Sequence, residues 1–129
     1  MANTITQTTL LGSGDDKNII RHIHITSDGS EETNLVIYDN SAFVGDTSKG
    51  KIEQIWASGS SGIMTLSWDQ TADFKAVTLN PRYHTHLDYR HFGGIANPNA
   101  AGATGDLLLT SSGFDTGEEL TLILHITQN

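Results

Sequence analysis

Apolar and polar residues alternate along much of this chain, and this period of two is the period of a β-strand. The alternation is clearest in residues 118–127, whose main apolar face consists of Leu120, Leu122, Leu124 and Ile126. Ile123 is the exception, because it falls on the opposite, polar face. Residues 18–26 alternate in the same way, with one face formed by Ile19, Arg21, Ile23 and Ile25 and the other by Ile20, His22 and His24.

Strands of this kind account for most of the chain, because no long window keeps the apolar spacing of a helix without a break by Gly, Ser or Asn. The predicted strands are residues 4–11, 18–26, 33–38, 51–57, 63–68, 74–79, 87–92, 106–111 and 118–127. Short strands separated by turns predict an all-β fold, an antiparallel β-sandwich, with a jelly roll as the leading topology. We expect residues 1–129 to form one domain, in which residues 1–11 are an arm or an edge strand.

Residues 87–111 are predicted to form a strand, a long loop and a second strand. The loop at residues 93–105 consists almost entirely of small or turn-forming residues, so it has too few large apolar groups to pack by itself. It needs the support of a larger sheet system. The chain is therefore interpreted as a β scaffold that presents loops.

Composition narrows the possible classes of function. The 129 residues carry a net charge of −8, and the seven Lys and Arg residues are scattered. Because nucleic acids and acidic membrane surfaces are bound by clustered cations, neither is an expected partner. The absence of cysteine excludes a disulfide framework. The first residues have neither the basic nor the apolar segment of a signal peptide, so we expect a protein that does not enter a secretory pathway.

Two short motifs match functional signatures but are better explained as turns. Residues 45–51 fit a phosphate-binding loop as far as Lys51, but Ile52 replaces the Ser or Thr that would hold magnesium. Asp115-Thr116-Gly117 matches the aspartic-protease triplet, but only twelve residues follow it. Asp and Gly are common in turns for reasons of backbone conformation. The sequence therefore predicts no catalytic residue and no cofactor.

His84, His86 and Asp88 are the candidate metal ligands. On a strand these three side chains would point the same way and could converge on one ion. Their spacing is similar to the H-x-H opening of cupins, but Arg90 stands at one of the places where the cupin pattern continues with glutamate. Short histidine spacings often arise by chance. We therefore expect no bound metal.

The aromatic residues permit two interpretations. Exposed on one surface, they would form a platform on which a sugar stacks, but in a sandwich of this size aromatic side chains usually belong to the core. We favour the core for all of them: Trp56, Trp68, Tyr83, Tyr89 and Phe92.

An ordered series of short blocks begins at Trp68. The blocks are WD at residues 68–69, LDYRHFGGIAN at 87–97, ATGDL at 103–107, TSSG at 110–113 and LTLIL at 120–124. Together they resemble a group of small β-sandwich virion proteins of tailed bacteriophages, the capsid decoration or cement proteins. The resemblance covers about half of the chain.

The resemblance implies a virion structural protein without enzymatic activity. Such a protein is assembled in the host cytoplasm, binds the major capsid protein on the outer surface of the capsid as a homotrimer, and bridges neighbouring capsomers. Composition suggests that the loop makes the contacts, because small residues permit close backbone approach. The candidate partner-binding residues are Phe92, Gly93, Gly94, Ile95, Asn97 and Asn99. Residues 2–11 are the alternative contact, as a strand added to a neighbour.

Two other functions remain open. A carbohydrate-binding β-sandwich module is the first alternative, with Trp56 or Tyr89 as the stacking residue. A cupin-like metalloprotein is the second, and it depends on the histidines that follow Arg82.

Overall fold

The computed structural model describes residues 3–11, 18–42, 50–60, 62–92 and 94–127. These residues form ten β-strands and three short 3-10 helices, and none of them is α-helical. The strands are β1 Thr4–Leu11, β2 Asn18–Thr26, β3 Leu35–Tyr38, β4 Lys51–Gly59, β5 Ile63–Trp68, β6 Phe74–Leu79, β7 Thr85–Asp88, β8 Ile95–Ala96, β9 Leu107–Ser112 and β10 Glu119–Thr127. The 3-10 helices are Asn40–Ala42, Pro81–Tyr83 and Arg90–Phe92.

The strands form two antiparallel sheets, so the predicted β-sandwich is confirmed. The larger sheet has the order β1-β2-β10-β4-β7, and β8 pairs with the start of β4. The smaller sheet has the order β3-β9-β5-β6. Several consecutive strands lie in opposite sheets, such as β2 and β3, β4 and β5, and β9 and β10. The connections between them therefore cross the two ends of the sandwich.

The core lies between the two sheets and is formed by the inward-facing positions that the alternation predicts. Leu120, Leu122, Leu124 and Ile126 of β10 are all buried, and they pack in one cluster with Trp68 of the smaller sheet. Burying a large apolar side chain stabilises a fold by roughly 1.5–3 kcal/mol. The inner faces of the strands thus supply most of the driving force for sheet packing.

Arg21 is the one charged residue in the apolar series of β2, and its hydrogen bonds explain how it is accommodated. Its guanidinium donates to the carbonyl of Ile37 at 3.0 Å, to Thr9 Oγ1 at 2.8 Å and to Gln7 Oε1 at 2.6 Å. Burial lowers the pKa of the guanidinium, but each of its three nitrogens donates one of these bonds. Arg21 therefore connects β1 and β2 to β3 across the edge of the sandwich.

The N-terminal segment is an edge strand of its own chain, because β1 pairs with β2 from Thr4 to Leu11. Asn3 fixes its start: Asn3 Nδ2 donates to Glu32 Oε2 at 2.7 Å, and Asn3 Oδ1 accepts from the backbone N–H of Asp28 at 2.9 Å. Of the two predictions for residues 1–11, these bonds favour an edge strand over an arm that extends away from the domain.

The predicted strand at residues 87–92 is wrong. The strand is Thr85–Asp88, and a 3-10 helix follows at Arg90–Phe92. Asp88 causes the break, since its Oδ1 accepts from the backbone N–H of Arg90 at 3.0 Å, which is the side-chain turn that aspartate favours. The β-favouring residues of this segment do not outweigh that local bond.

The aspartic-protease-like triplet is a turn, as predicted. Glu118 N–H donates to the carbonyl of Asp115 at 3.1 Å, and Gly117 has a φ of +87°. The phosphate-loop-like motif at residues 45–51 lies outside the described residues except for its end. No helix in the described ranges has the length and apolar character needed to cross a membrane.

Candidate functional site

The outer face of the larger sheet carries polar side chains in regular rows, because the strand register aligns them. One row crosses five strands and consists of Thr8, His22, Ile123, Trp56 and His86. The next row consists of Thr6, His24, Thr121 and Ser58. His125 continues the same face further along β10.

A cleft of about 240 Å³ lies on this face, lined by residues of the two rows and by the segment that enters β7. Its lining residues are Trp56, Ala57, Ser58, His84, Thr85, His86, Thr121 and Ile123. None of them is acidic, lysine or arginine. The cleft therefore offers hydroxyl, imidazole and aromatic groups but no carboxylate, ammonium or guanidinium group, and we refer to it as the β4–β7 cleft.

Trp56 and His86 form one wall of the β4–β7 cleft. Their rings stack with centroids 5.0 Å apart and an angle of 6° between the planes. Gln54 fixes the imidazole, since His86 Nε2 lies 3.1 Å from Gln54 Oε1. Both rings are thus held in place by neighbours on adjacent strands.

Trp56 corrects the expectation that all of the aromatic residues belong to the core. Trp68 is fully buried between the sheets, whereas Trp56 is half-buried and lies on the outer face. The register explains the difference, because Trp56 pairs with Ile123, the apolar residue on the polar face of β10. Ile123 thus contributes to the cleft and not to the core, and its irregular position was the signal in the sequence.

The candidate metal ligands do not share one strand face. His84 lies before β7, with a φ of +44° at the end of the 3-10 helix Pro81–Tyr83, while His86 is stacked on Trp56. Asp88 is held by Arg90, whose Nε and Nη2 donate to its two carboxylate oxygens at 3.0 and 2.8 Å. These bonds hold the pKa of Asp88 well below its usual range. In the part of the chain that the structure describes, no three His, Asp or Glu residues are grouped as metal ligands would be.

A second candidate surface is the long loop at residues 97–105, which we call the docked loop. It is held against the turn that follows β5. Thr104 Oγ1 donates to Asp69 Oδ2 at 2.8 Å, Thr104 N–H donates to the Asp69 carbonyl at 3.2 Å, and Thr71 N–H donates to the Ala101 carbonyl at 2.9 Å. These bonds give a loop without an apolar core a defined conformation.

Hydrogen bonds at the start of the docked loop leave its tip exposed. The Asn97 side chain is buried, and its Oδ1 accepts from the backbone N–H of Asn99 at 2.8 Å. The five residues that follow Asn97 are all exposed: Pro98, Asn99, Ala100, Ala101 and Gly102. The tip is therefore small, uncharged and fixed in shape.

Two of the other candidate partner-binding residues, Gly94 and Ile95, have structural roles. Ile95 packs against the core from β8, which pairs with Ile52. Gly94 has a φ of +83°, and a side chain there would meet the Ile52 carbonyl oxygen at 2.9 Å. Phe92 ends a 3-10 helix, while Gly93 lies outside the described residues. Among the candidates whose burial the structure describes, Asn99 alone is exposed, at the tip of the docked loop.

Carboxylates surround the base of the docked loop. Asp106 Oδ1 accepts from the backbone N–H of Asn40 at 2.8 Å. Burial raises the pKa of Asp106, and the nearby charges of Asp39 and Asp69 raise it further. Burial is also the main reason that the pKa of Tyr38 is raised. The loop end of the sandwich is therefore more acidic than the β4–β7 cleft.

Comparison with known proteins identified no relative of this chain. No protein-family model matches the chain, and no match was found among curated proteins or among solved structures.

Proposed function

We propose that this chain is a non-enzymatic virion structural protein that binds the outer surface of a bacteriophage capsid and cements neighbouring capsomers. The observation that carries the proposal is the docked loop, because it lies in the region of the resemblance and has a fixed, small and uncharged tip. The expected partner is the major capsid protein, and the expected location is the outer face of the virion.

A loop that is already ordered is suited to repeated contacts on a shell. Binding by a flexible loop costs about 0.5–1.5 kcal/mol for each side chain that becomes immobilised, and a fixed loop avoids much of that cost. Small residues at the tip allow backbone contact over a flat surface. Three copies in one trimer would add avidity to modest individual contacts.

We infer further that the sandwich is a jelly roll. The strand order β2-β10-β4-β7 opposite β3-β9-β5-β6 supports this, since eight strands are interleaved between two sheets. Viral capsid proteins, lectins and cupins all use jelly rolls. The topology is therefore compatible with all three candidate functions, and only a site can choose between them.

A capsid-binding assay tests the proposal. Purified capsids of the phage that encodes this chain, stripped of the protein, are incubated with wild type and with Ala100→Arg, and co-sedimentation gives the occupancy. Because Ala100 is exposed at the loop tip, the substitution should preserve the fold and weaken binding tenfold or more. Ser112→Arg is the control, since Ser112 is also exposed but lies at the opposite end of β9.

Different results would contradict the docked loop as the contact and the virion function itself. Equal binding by wild type and Ala100→Arg would remove the docked loop as the contact. Absence of the wild-type protein from both reconstituted and native particles would contradict the virion function itself. Light scattering on the isolated protein adds an independent measurement, for which we expect the mass of a trimer.

A further inference from the structure

We infer that the β4–β7 cleft binds a neutral pyranose sugar, with Trp56 as the aromatic surface for the sugar ring. This binding site is separate from the docked loop. The cleft lies beside Ser58 and Thr121, whereas the docked loop is held by the turn after Trp68. The inference goes beyond the cementing role and does not require it.

The position of Trp56 is the first argument. A large aromatic side chain that stays partly exposed on an outer sheet face gives up part of the free energy it would gain in the core. Trp56 is only half-buried there, although Trp68 shows that the same chain can bury an indole completely. A partly exposed aromatic side chain in a cleft, next to hydroxyl groups, is the usual composition of a ligand site with one apolar side.

The preorganisation of the aromatic wall is the second argument. His86 stacks on Trp56 with 6° between the rings, and Gln54 Oε1 lies 3.1 Å from His86 Nε2. Ile123 pairs with Trp56 from the neighbouring strand. The indole therefore has a defined orientation before any ligand binds, which reduces the entropic cost of binding.

The polar lining selects the class of ligand. Ser58, Thr85 and Thr121 bring hydroxyl groups to the cleft, and His84 brings an imidazole. Thr121 Oγ1 is oriented by His24, whose Nδ1 lies 3.0 Å away. Hydroxyl and imidazole groups both donate and accept hydrogen bonds, and the lining has no acidic, lysine or arginine side chain to pair with a charge. The complementary ligand is neutral, rich in hydroxyl groups and apolar on one face, which describes a pyranose.

The size of the cleft sets the expected affinity. Its volume of about 240 Å³ is below the roughly 300–1,000 Å³ of drug-sized pockets. One sugar ring can occupy it while the rest of a glycan extends into solvent. We therefore expect a Kd on the order of 1 mM for a single sugar unit.

Saturation-transfer NMR tests the inference with glucose, galactose, mannose and N-acetylglucosamine at millimolar concentration, and with inorganic phosphate and adenosine as probes of other ligand classes. Trp56 fluorescence provides a second readout. Because Trp68 is fully buried, quenching by acrylamide reports on Trp56. We expect at least one of the sugars to give saturation transfer and to protect Trp56 from acrylamide.

Substitutions locate the site. Trp56→Ala should weaken binding of the sugar tenfold or more, and Trp56→Phe should restore part of the loss. Phe74→Ala is the matched control, since Phe74 is an aromatic residue with 42% exposure on the smaller sheet. If Trp56→Ala does not fold, Thr121→Val tests sugar binding in its place, because this substitution removes only one hydroxyl group from the cleft. A Kd weaker by about threefold or more in Thr121→Val supports the site.

Three results would overturn the inference: no saturation transfer from any of the four sugars, binding of phosphate or adenosine in their place, or sugar binding that is unchanged in Trp56→Ala or, where that variant does not fold, in Thr121→Val. Capsid co-sedimentation of Trp56→Ala is expected to match that of wild type. A failed sugar experiment therefore leaves the cementing role to its own test.

Discussion

Gly105 occupies a position where both backbone conformation and space require glycine. It has a φ of +79°, and a Cβ at this position would lie 2.6 Å from Asn40 Nδ2. Gly117 has a similar φ of +87° but no heavy atom within 4 Å of such a Cβ. A side chain at either position would strain the backbone, but only a side chain at position 105 would also meet a neighbouring atom.

We predict that Gly105→Ala destabilises the protein more than Gly117→Ala does. Both variants place an alanine at a positive φ, which strains the backbone. Only Gly105→Ala also displaces the Asn40 side chain, which should add about 1–3 kcal/mol. Urea denaturation followed by circular dichroism measures the difference in unfolding free energy. Equal destabilisation would show that Asn40 moves aside without cost.

Asp106 should make stability depend on pH in a defined direction. Because its pKa is raised in the folded state, mainly by burial, the ionised carboxylate is disfavoured by folding. The penalty is complete at pH values above the raised pKa, and it falls as the pH is lowered through that pKa, because the folded state then binds the proton more readily than the unfolded state does.

Asp106→Asn is therefore expected to have a higher Tm than wild type at pH 7. The amide retains an oxygen that can accept from Asn40 N–H, and it removes the charge near Asp39 and Asp69. The difference should shrink as the pH approaches 3.8, the ordinary pKa of the carboxyl group. Asp115→Asn is the control for the loss of one negative charge, because Asp115 lies in an exposed turn. A lower Tm for Asp106→Asn at pH 7 would contradict the assignment.

At the scale of elements, the docked loop derives its conformation from a neighbouring turn. Its own residues are small, and the loop is fixed through Asp69 and Thr71, which belong to the connection between β5 and β6. The blocks at residues 68–69 and 103–107 in the sequence therefore contact each other in the fold.

Thr104→Val tests this contact. The substitution keeps the shape of the side chain and removes the hydroxyl that donates to Asp69 Oδ2 at 2.8 Å. We expect faster hydrogen exchange at the Thr71 amide, which bonds to Ala101, and a loss of about 0.5–1.5 kcal/mol in unfolding free energy. Thr65→Val is the control for the same substitution elsewhere, because the Thr65 hydroxyl lies 3.3 Å from that of Thr78 on the smaller sheet, away from the loop. Unchanged exchange in Thr104→Val would mean that backbone bonds alone hold the loop.

Sequence patterns predicted the elements better than they predicted the site. Eight of the nine predicted strands correspond to observed strands, because alternation and turn residues act locally. The strand at residues 87–92 was misplaced, since the bond from Asp88 to Arg90 N–H is not visible in a propensity pattern. The β4–β7 cleft was not predicted, because it requires the pairing of β4 with both β10 and β7.

At the scale of the whole molecule, the net charge depends on the protonation of the histidines, and most of the histidines lie on one face. The net charge is −8 with neutral histidines, and protonation of all six would change it to −8 + 6 = −2. Four of these histidines lie on the outer face of the larger sheet: His22, His24, His86 and His125. These four imidazoles therefore share one face of an acidic protein.

We predict that solubility falls between pH 8 and pH 5, the range in which histidines usually gain charge. A lower net charge weakens the electrostatic repulsion between molecules. Precipitation by polyethylene glycol at each pH measures the effect. Replacement of His22 and His125 by Gln should reduce it. Constant solubility across this range would contradict the prediction.

The sequence by itself determined eight of the nine predicted strands, their inward and outward faces and hence the sandwich, because a period of two is a local property of the backbone. The tertiary structure alone decided which residues meet. Ser58, His86 and Thr121 line one cleft because strand pairing brings distant segments into register. Asp69 and Thr104 meet because the loop must satisfy its backbone and hydroxyl groups against the nearest turn. The alternation along the chain assigns each side chain to one face of a sheet, and the strand pairing decides which other side chains lie next to it.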